Sequence, residues 1–229
     1  MNEETQQSLG LSKPPIAIGF LDTAPQGISP WTEGPVPAGC SFWRAAMEGK
    51  SFYTVPSDHY NCAVGSYVHA ISIPSDRGPA LQDTIGFMVG NGYLRMEEVP
   101  GIPVLPKTPA YIAYAPVGDA AFKADVVVIA ARPASAMLIY EAALRAGAGD
   151  ALTSTLGRPG CAVLPLSMAS GKASLSFGCK GNRTYTGLPD EELYIAIPGA
   201  KWPEVSDALD PVAQANAAME ARYRAVRAV

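Results

Sequence analysis

The chain has 229 residues, of which 48 % are hydrophobic and 17 % charged, and its formal net charge is −4. This composition can bury a sizeable core and excludes a disordered chain. The acidic balance and the scattered Lys and Arg residues exclude a nucleic-acid-binding surface, and no apolar run reaches the roughly 18 residues of a membrane span. We therefore expect one cytoplasmic domain over residues 1–229, of the α/β (α+β) class.

Short apolar or alternating runs that end at Pro, Gly or Asp predict strands. The predicted strands cover residues 16–20, 51–55, 111–115, 126–131, 173–177 and 193–197. Longer periodic runs predict helices over residues 41–48, 134–146, 162–169 and 211–226, the last with Asp210 as its N-cap and Pro211 as its first residue. The tail at 203–229 places Val212, Met219, Tyr223 and Val226 on one face, which is typical of a lid or of a contact in a homodimer.

An order of features recurs along the chain, which indicates two diverged repeats of a strand-helix-strand unit. The first repeat covers residues 14–118 and the second covers 125–200. Each contains a strand, a cysteine that opens a short helix, a glycine-lysine pair, a second strand, a second cysteine and a last strand. Gly49 follows Cys40 by nine residues and Gly171 follows Cys161 by ten. Turn formers at 74–109 predict an insertion of loops and short strands in the first repeat only.

Four cysteines fall into this pattern, two in each repeat. If the repeats pack as a pseudo-two-fold pair, equivalent positions face each other across the axis, and Cys40, Cys62, Cys161 and Cys179 can converge. Cys40 and Cys161 are predicted at helix starts, where the helix dipole stabilises a thiolate. Glycines shortly after Cys62 and Cys179 let the backbone turn closely around a bulky group.

Three chemistries suit these cysteines. Four thiolates can hold an iron–sulfur cluster or a zinc ion. The cysteines are far apart in the sequence and do not form the close Cys-x-x-Cys pairs of zinc fingers, which favours a 4Fe-4S cluster in a cavity between the repeats. A metal-free redox thiol pair is the third possibility. The alternative is that each cysteine has no chemical role and is an inert, buried, small side chain, as a lone cytoplasmic cysteine usually is.

Three further residues are candidates for catalysis. His59 lies three residues before Cys62 and can act as a ligand, a proton donor or a neighbour of a ligand, or simply bond to Asp58 in a loop. Arg183 and Tyr185 follow Cys179 in a polar stretch, where Arg183 and Lys180 can hold an anionic substrate, unless the stretch is a solvated turn. His69 is predicted on a strand, in a structural role.

Several segments resemble one known family. They read CSFWRA from Cys40, GKSFY from Gly49, DHYNCAVG from Asp58 and FGCKGNRTYTG from Phe177. They are similar to the family called domain of unknown function 169, found in archaea and in anaerobic or soil bacteria, and the resemblance covers about residues 14–198. It implies that the four cysteines and His59 form a unit, but it implies no particular reaction.

Together these observations predict a small cluster-binding protein. Its iron–sulfur centre would serve redox or Lewis-acid chemistry on a small molecule, with an electron-transfer partner in the redox case. The alternatives are a non-catalytic module that binds a metal or ligand, and a metal-free thiol redox protein.

Overall fold

The computed structural model describes residues 1, 3–149, 153–155 and 159–227. It is a mixed α/β structure built on one eight-stranded sheet with a long C-terminal helix. The strands are β1 (Ile16–Leu21), β2 (Ser29–Pro30), β3 (Phe52–Thr54), β4 (Tyr111–Pro116), β5 (Val126–Ala131), β6 (Thr153–Ser154), β7 (Ser174–Ser176) and β8 (Leu193–Pro198). The helices are α1 (Glu3–Ser8), α2 (Ser41–Met47), α3 (Ala63–Val68), α4 (Gly78–Gly90), α5 (Pro133–Arg145), α6 (Val163–Ser170), α7 (Lys180–Thr186) and α8 (Trp202–Arg227).

The sheet has the strand order β2-β3-β4-β1-β5-β8-β7-β6. The first four strands form one half and the last four form the other, joined by the antiparallel pair β1 and β5. In each half the edge strand has two residues and pairs in parallel with its neighbour. The other neighbours within each half are antiparallel.

Alternation along the central strands divides the core between the two faces of the sheet. On β5, Val126 and Val128 belong to the core cluster that contains α2 and α6. Val127 and Ile129 belong to the cluster on the opposite face, with α5 and α8. Both sides of β5 are fully buried, which explains its continuous apolar run. The cysteine-bearing segments pack on the α2 and α6 face.

All six predicted strands are confirmed to within two residues at each end, and so are the first three predicted helices. The short strands predicted within residues 74–109 are wrong, because this segment holds α4 and 3₁₀ turns, with no strand among its residues. The prediction that His69 lies on a strand is also wrong, because His69 is the C-cap of α3.

The predicted start of the C-terminal helix at Pro211 is wrong as well. Helix α8 begins at Trp202 and runs through Pro211, although an interior proline removes one helix hydrogen bond. Leu209 and Val212, on either side of this proline, are completely buried against the rest of the fold. Their burial outweighs the lost bond. Among the described helices, none is both long and apolar enough to cross a membrane.

Candidate functional site

Cys40 and Cys161 hold equivalent places at the starts of two helices. Cys40 is the N-cap residue of α2, and Cys161 lies in the 3₁₀ turn at Gly160–Ala162 that leads directly into α6. Helix α2 is anchored by the buried side chains of Phe42 and Trp43. The predicted location of both cysteines at helix starts is therefore confirmed.

Cys62 and Cys179 share a different arrangement, again one in each half of the sheet. Each is the N-cap of a short helix, α3 or α7, and its sulfur accepts a hydrogen bond from the backbone N–H three residues later. The bond from Gly65 to Cys62 and the bond from Asn182 to Cys179 are both 3.3 Å long. The glycines after these cysteines lie within the helices and do not form the turns that the sequence suggested.

The four cysteines converge on one partly buried region. Burial raises the pKa of the Cys40 thiol to about 12, and the charges of Cys179 and Cys62 add to this rise. Burial also raises the pKa of Cys161 well above its usual value, and Cys62, Cys179 and Cys40 contribute to it. These electrostatic interactions place the four thiols in the same region of the fold. All four are free cysteines, without a disulfide.

Contacts between the two halves bring these segments together. Helix α2, which follows Cys40, packs against α7, which follows Cys179. Helix α3, which follows Cys62, packs against the turn that holds Cys161. A Cβ atom on Gly160 would lie 3.0 Å from the backbone nitrogen of Cys179, so the backbones of these two cysteine segments approach closely. Each half of the sheet therefore contributes a helix that packs against a cysteine-bearing segment of the other half.

The helix starts do not favour thiolates at Cys40 and Cys161 as the sequence predicts. The dipole was expected to stabilise a thiolate at Cys40 and Cys161, but burial dominates and favours the neutral thiol at both positions. Burial raises the pKa of Cys62 as well. In the absence of a cation these three thiols are therefore protonated at neutral pH.

This protonation predicts that the metal-free protein loses stability in alkaline solution. An unfolded thiol ionises near its ordinary pKa of 9.0, whereas folded Cys40 keeps its proton to about pH 12. Between these values the folded state binds more protons than the unfolded state, so the free energy of unfolding falls as the pH rises. Denaturant midpoints measured from pH 8 to pH 11 check this. The Cys40→Ser variant should show a shallower decline, and equal slopes for both proteins would contradict the assignment.

Polar groups surround the cysteines. Among the described residues, the buried Ser41 hydroxyl has no hydrogen-bond partner, and the Tyr114 hydroxyl and the Asn182 amide lack a partner with full hydrogen-bond geometry, although Tyr114 lies near Thr54 and Asn182 lies near Cys40 and Tyr194. Asn182 is 2 % exposed, and its side chain faces Cys40, where it offsets part of the rise that burial causes in the pKa of that thiol. Tyr114 lies close enough to Cys40 and Cys161 for their charges to raise its pKa. Buried polar groups are rarely left unpaired in folded proteins, so this cluster is typical of a site that receives a ligand.

The imidazole of His59 packs against the backbone that precedes Cys40. It is fully buried, and its Nε2 is 2.9 Å from the Thr54 hydroxyl, which donates to the carbonyl of Ile112. A Cβ on Gly39 would lie 2.6 Å from Nδ1, so the imidazole packs against the backbone just before Cys40. Burial lowers the pKa of His59 well below its usual value, and the nearby His69 lowers it further.

The alternative prediction for His59, a hydrogen bond to Asp58 in a loop, is wrong. The carboxylate of Asp58 instead accepts from the backbone N–H of Val55 at 2.8 Å. This bond closes the turn that carries His59 into the core.

Arg183 holds the segment around Cys179 together. Its guanidinium donates to the backbone carbonyls of Phe177, Pro189 and Glu192 at 2.8 to 2.9 Å. These bonds favour a positioning role for Arg183 over the binding of an anionic substrate. Tyr185 is 42 % exposed on α7, and its ring stands over Gly181. The alternative of a solvated turn is wrong, because residues 180–186 form a helix that ends at Gly187, where φ is +67°.

Sequence reasoning missed two features of this site. Asn182 was not singled out, although its place three residues after Cys179 is the N–H position that a capping residue uses. Tyr93, in the inserted segment, accepts a hydrogen bond from the backbone of Lys180 at 3.0 Å, which ties the insertion to the second cysteine segment of the other half. Within the described parts of the chain, no group of three or more His, Cys, Asp or Glu side chains is arranged to hold a metal ion.

The fold and the site define an α/β protein that carries four half-buried cysteines on one face of its sheet. The chain belongs to the family described as uncharacterised ArCR, domain of unknown function 169, whose model matches residues 5–208. Searches of the curated proteins and of the solved structures find no significant match.

Proposed function

We propose that this protein binds an iron–sulfur cluster, 4Fe-4S, through Cys40, Cys62, Cys161 and Cys179, and uses it in redox or Lewis-acid chemistry on a small molecule. The observation that supports the proposal is the proximity of the four thiols, two from each half of the sheet, in one partly buried region. Thiolates are the ligands that such clusters use.

The proposal includes an origin by duplication, with the two halves packed about a pseudo-two-fold axis. The strand order supports this origin. If β1, β2, β3 and β4 are taken as equivalent to β5, β6, β7 and β8, the order of strands is the same when it is followed from either edge of the sheet. The capping bonds at Cys62 and Cys179 support it further, since both have the same donor position and the same length. A site on such an axis receives equivalent ligands from both sides.

The surroundings of the thiols fit a cluster. Its sulfides and thiolates accept hydrogen bonds, and the unpartnered hydroxyl of Ser41, the weakly paired hydroxyl of Tyr114 and the amide of Asn182, which faces Cys40, are donors. The backbone N–H groups of Gly65 and Asn182 already donate to two of the cysteine sulfurs. Hydrogen bonds to sulfur tune the reduction potential of a bound cluster.

The chain's own residues would then have separable tasks. The cysteines bind, the aromatic core around Phe42 and Tyr114 excludes water, and His59 and Arg183 position the segments of Cys40 and Cys179. The predicted catalytic roles of His59, Arg183 and Tyr185 stay predictions. With all four cysteines bound, the protein would carry electrons to a partner; with one position open, it would act on a substrate. A substrate with negative charge would rely on Lys180, because Arg183 is engaged by carbonyls.

The test is an anaerobic purification followed by an absorption spectrum and by assays of iron, sulfide and zinc on the same sample. A broad band near 400 nm with about four irons and four sulfides per chain is the expected result. Zinc without colour would favour the zinc alternative and a non-catalytic binding module. A protein without metal, even after anaerobic reconstitution with iron and sulfide, would reject the proposal in favour of thiol redox chemistry.

The hydroxyl of Tyr114 provides a second test, on the metal-free protein. Tyr114→Phe removes a buried hydroxyl that lies near Thr54 but makes no full hydrogen bond, so we expect it to leave the stability of the fold nearly unchanged. Tyr194→Phe is the matched control, because the Tyr194 hydroxyl donates to Thr186 at 3.1 Å, and its loss should destabilise the fold by about 1 kcal/mol. Denaturant unfolding measures both. If Tyr114→Phe destabilises as much as Tyr194→Phe, the hydroxyl is satisfied without a ligand.

A further inference from the structure

An apolar seam runs along the whole of α8. Its residues are separated alternately by four and three positions, which is the spacing of the a and d positions of a coiled coil. They are Val205, Leu209, Val212, Asn216, Met219, Tyr223 and Val226. Because the spacing continues to the end of the helix, one face of α8 is suited to helix packing along its full length.

The fold covers only the first half of this seam. Val205, Leu209 and Val212 are completely buried, in the core cluster shared with α5. Met219 is 48 % exposed and Tyr223 is 62 % exposed. The change falls at Asn216, whose side chain donates to Glu141 of α5 at 2.9 Å and to the carbonyl of Val212. The established α5–α8 interface therefore continues into a surface that nothing within the described chain covers.

A groove lies beside the uncovered half of the seam. It has a volume of about 930 Å³ and is lined by Ala134, Met137 and Leu138 of α5 and by Met219 and Tyr223 of α8. Met137 is itself 52 % exposed. A contiguous exposed surface of this kind marks an interaction site, and its shape and spacing suit another helix.

The charges beside the seam favour the same helix of a second copy, in antiparallel orientation. Glu220 and Arg227 flank the seam on one side and Arg222 flanks it on the other. In a parallel pair Arg222 would face the partner's Arg227, and the two would repel each other. Within its own helix Glu220 pairs with Arg224. In an antiparallel pair centred near Tyr223, each Glu220 also faces the Arg227 of the other copy, and the contact is attractive.

We propose that the protein forms a two-fold symmetric dimer in which the C-terminal halves of α8 pack antiparallel and fill the groove beside α5. The contact buries Met219, Tyr223 and Val226 of both copies and pairs Glu220 with the partner's Arg227. It lies on the face of the sheet opposite the cysteines, so it is independent of metal binding.

Sedimentation equilibrium of the full chain tests the dimer. The wild-type protein should give twice the chain mass of 24.0 kDa at micromolar concentration. Tyr223→Glu should weaken self-association by at least about 30-fold, because an aromatic residue at the centre of an interface is a typical hot spot. Ala221→Glu introduces the same charge on the opposite face of the helix and should leave the dimer intact. A monomeric wild-type protein, or equal effects of the two variants, would overturn the proposal.

Charge reversal tests the orientation. Glu220→Arg and Arg227→Glu should each weaken the antiparallel dimer by about 3-fold to 10-fold, and the double variant should restore it. A parallel dimer would instead be strengthened by Arg227→Glu, which relieves the contact with Arg222, and that result would overturn the proposed geometry. Helix content measured by circular dichroism confirms that each variant is folded. Metal content measured in parallel separates a failure of the dimer from a failure of the proposed function.

Discussion

Replacing either Cys62 or Cys179 by serine is expected to remove nearly all of the bound iron while the fold survives. Serine is a good N-cap residue, so its hydroxyl can accept the N–H bonds of Gly65 or Asn182 that the sulfurs accept now. An alcohol is a much poorer ligand than a thiolate for iron in a cluster. The change therefore removes the ligand and keeps the local structure.

Two measurements separate these effects. Iron and sulfide per chain after anaerobic reconstitution should fall from about four to below one in each variant, and the denaturant midpoint of the metal-free protein should stay within error. Ser66→Ala is a suitable control, because Ser66 lies on α3 and its buried hydroxyl donates to the carbonyl of His59 at 2.9 Å. This control should lose some stability and keep its iron. If both cysteine variants retain full iron, the two halves do not share a site.

Substituting Gly199 by alanine is expected to cause a large loss of stability although the change adds a single methyl group. A Cβ there would lie 1.9 Å from the carbonyl oxygen of Ala124, and backbone atoms cannot move aside as a flexible side chain can. Gly199 also donates its N–H to the carbonyl of Asp125 at 2.7 Å, which closes the end of the β5–β8 pair. We expect a loss of about 3 kcal/mol, or roughly 6–12 °C in Tm.

Gly118 provides the matched control for this substitution. It follows the end of β4 as Gly199 follows the end of β8, but a Cβ on Gly118 would meet no atom within 4 Å. Gly118→Ala should therefore leave the melting temperature almost unchanged. Equal melting temperatures for the two variants would show that the turn at Gly199 can open without cost.

The order of elements could be predicted from local patterns, and the short edge strands could not. Strand β5 is a run of six apolar residues, all buried, and such a run has few other interpretations. Strands β2 and β6 have two residues each and contain too little pattern to be recognised. Helices α3 and α7 were missed because their capping residues are cysteines, which are not typical N-caps.

The composition of the candidate site could be predicted in part. The repeated order of features led to all four cysteines, and its position near Cys62 led to His59; the structure places the four thiols in one region of the fold. The roles of the surrounding residues could not be predicted, because they depend on which group each side chain meets. Arg183 illustrates this, since three carbonyls from separate positions surround its guanidinium.

The sequence by itself determined the α/β class, the six longer strands of the sheet and the set of cysteines, because these follow from hydrophobic alternation and from the order of features along the chain. Only the tertiary structure decided that burial outweighs the helix starts in setting the thiol pKa values, that Asn182 faces Cys40, and that the second half of α8 is uncovered. Each of these depends on desolvation and on contacts between residues far apart in the chain, and no local pattern records such contacts.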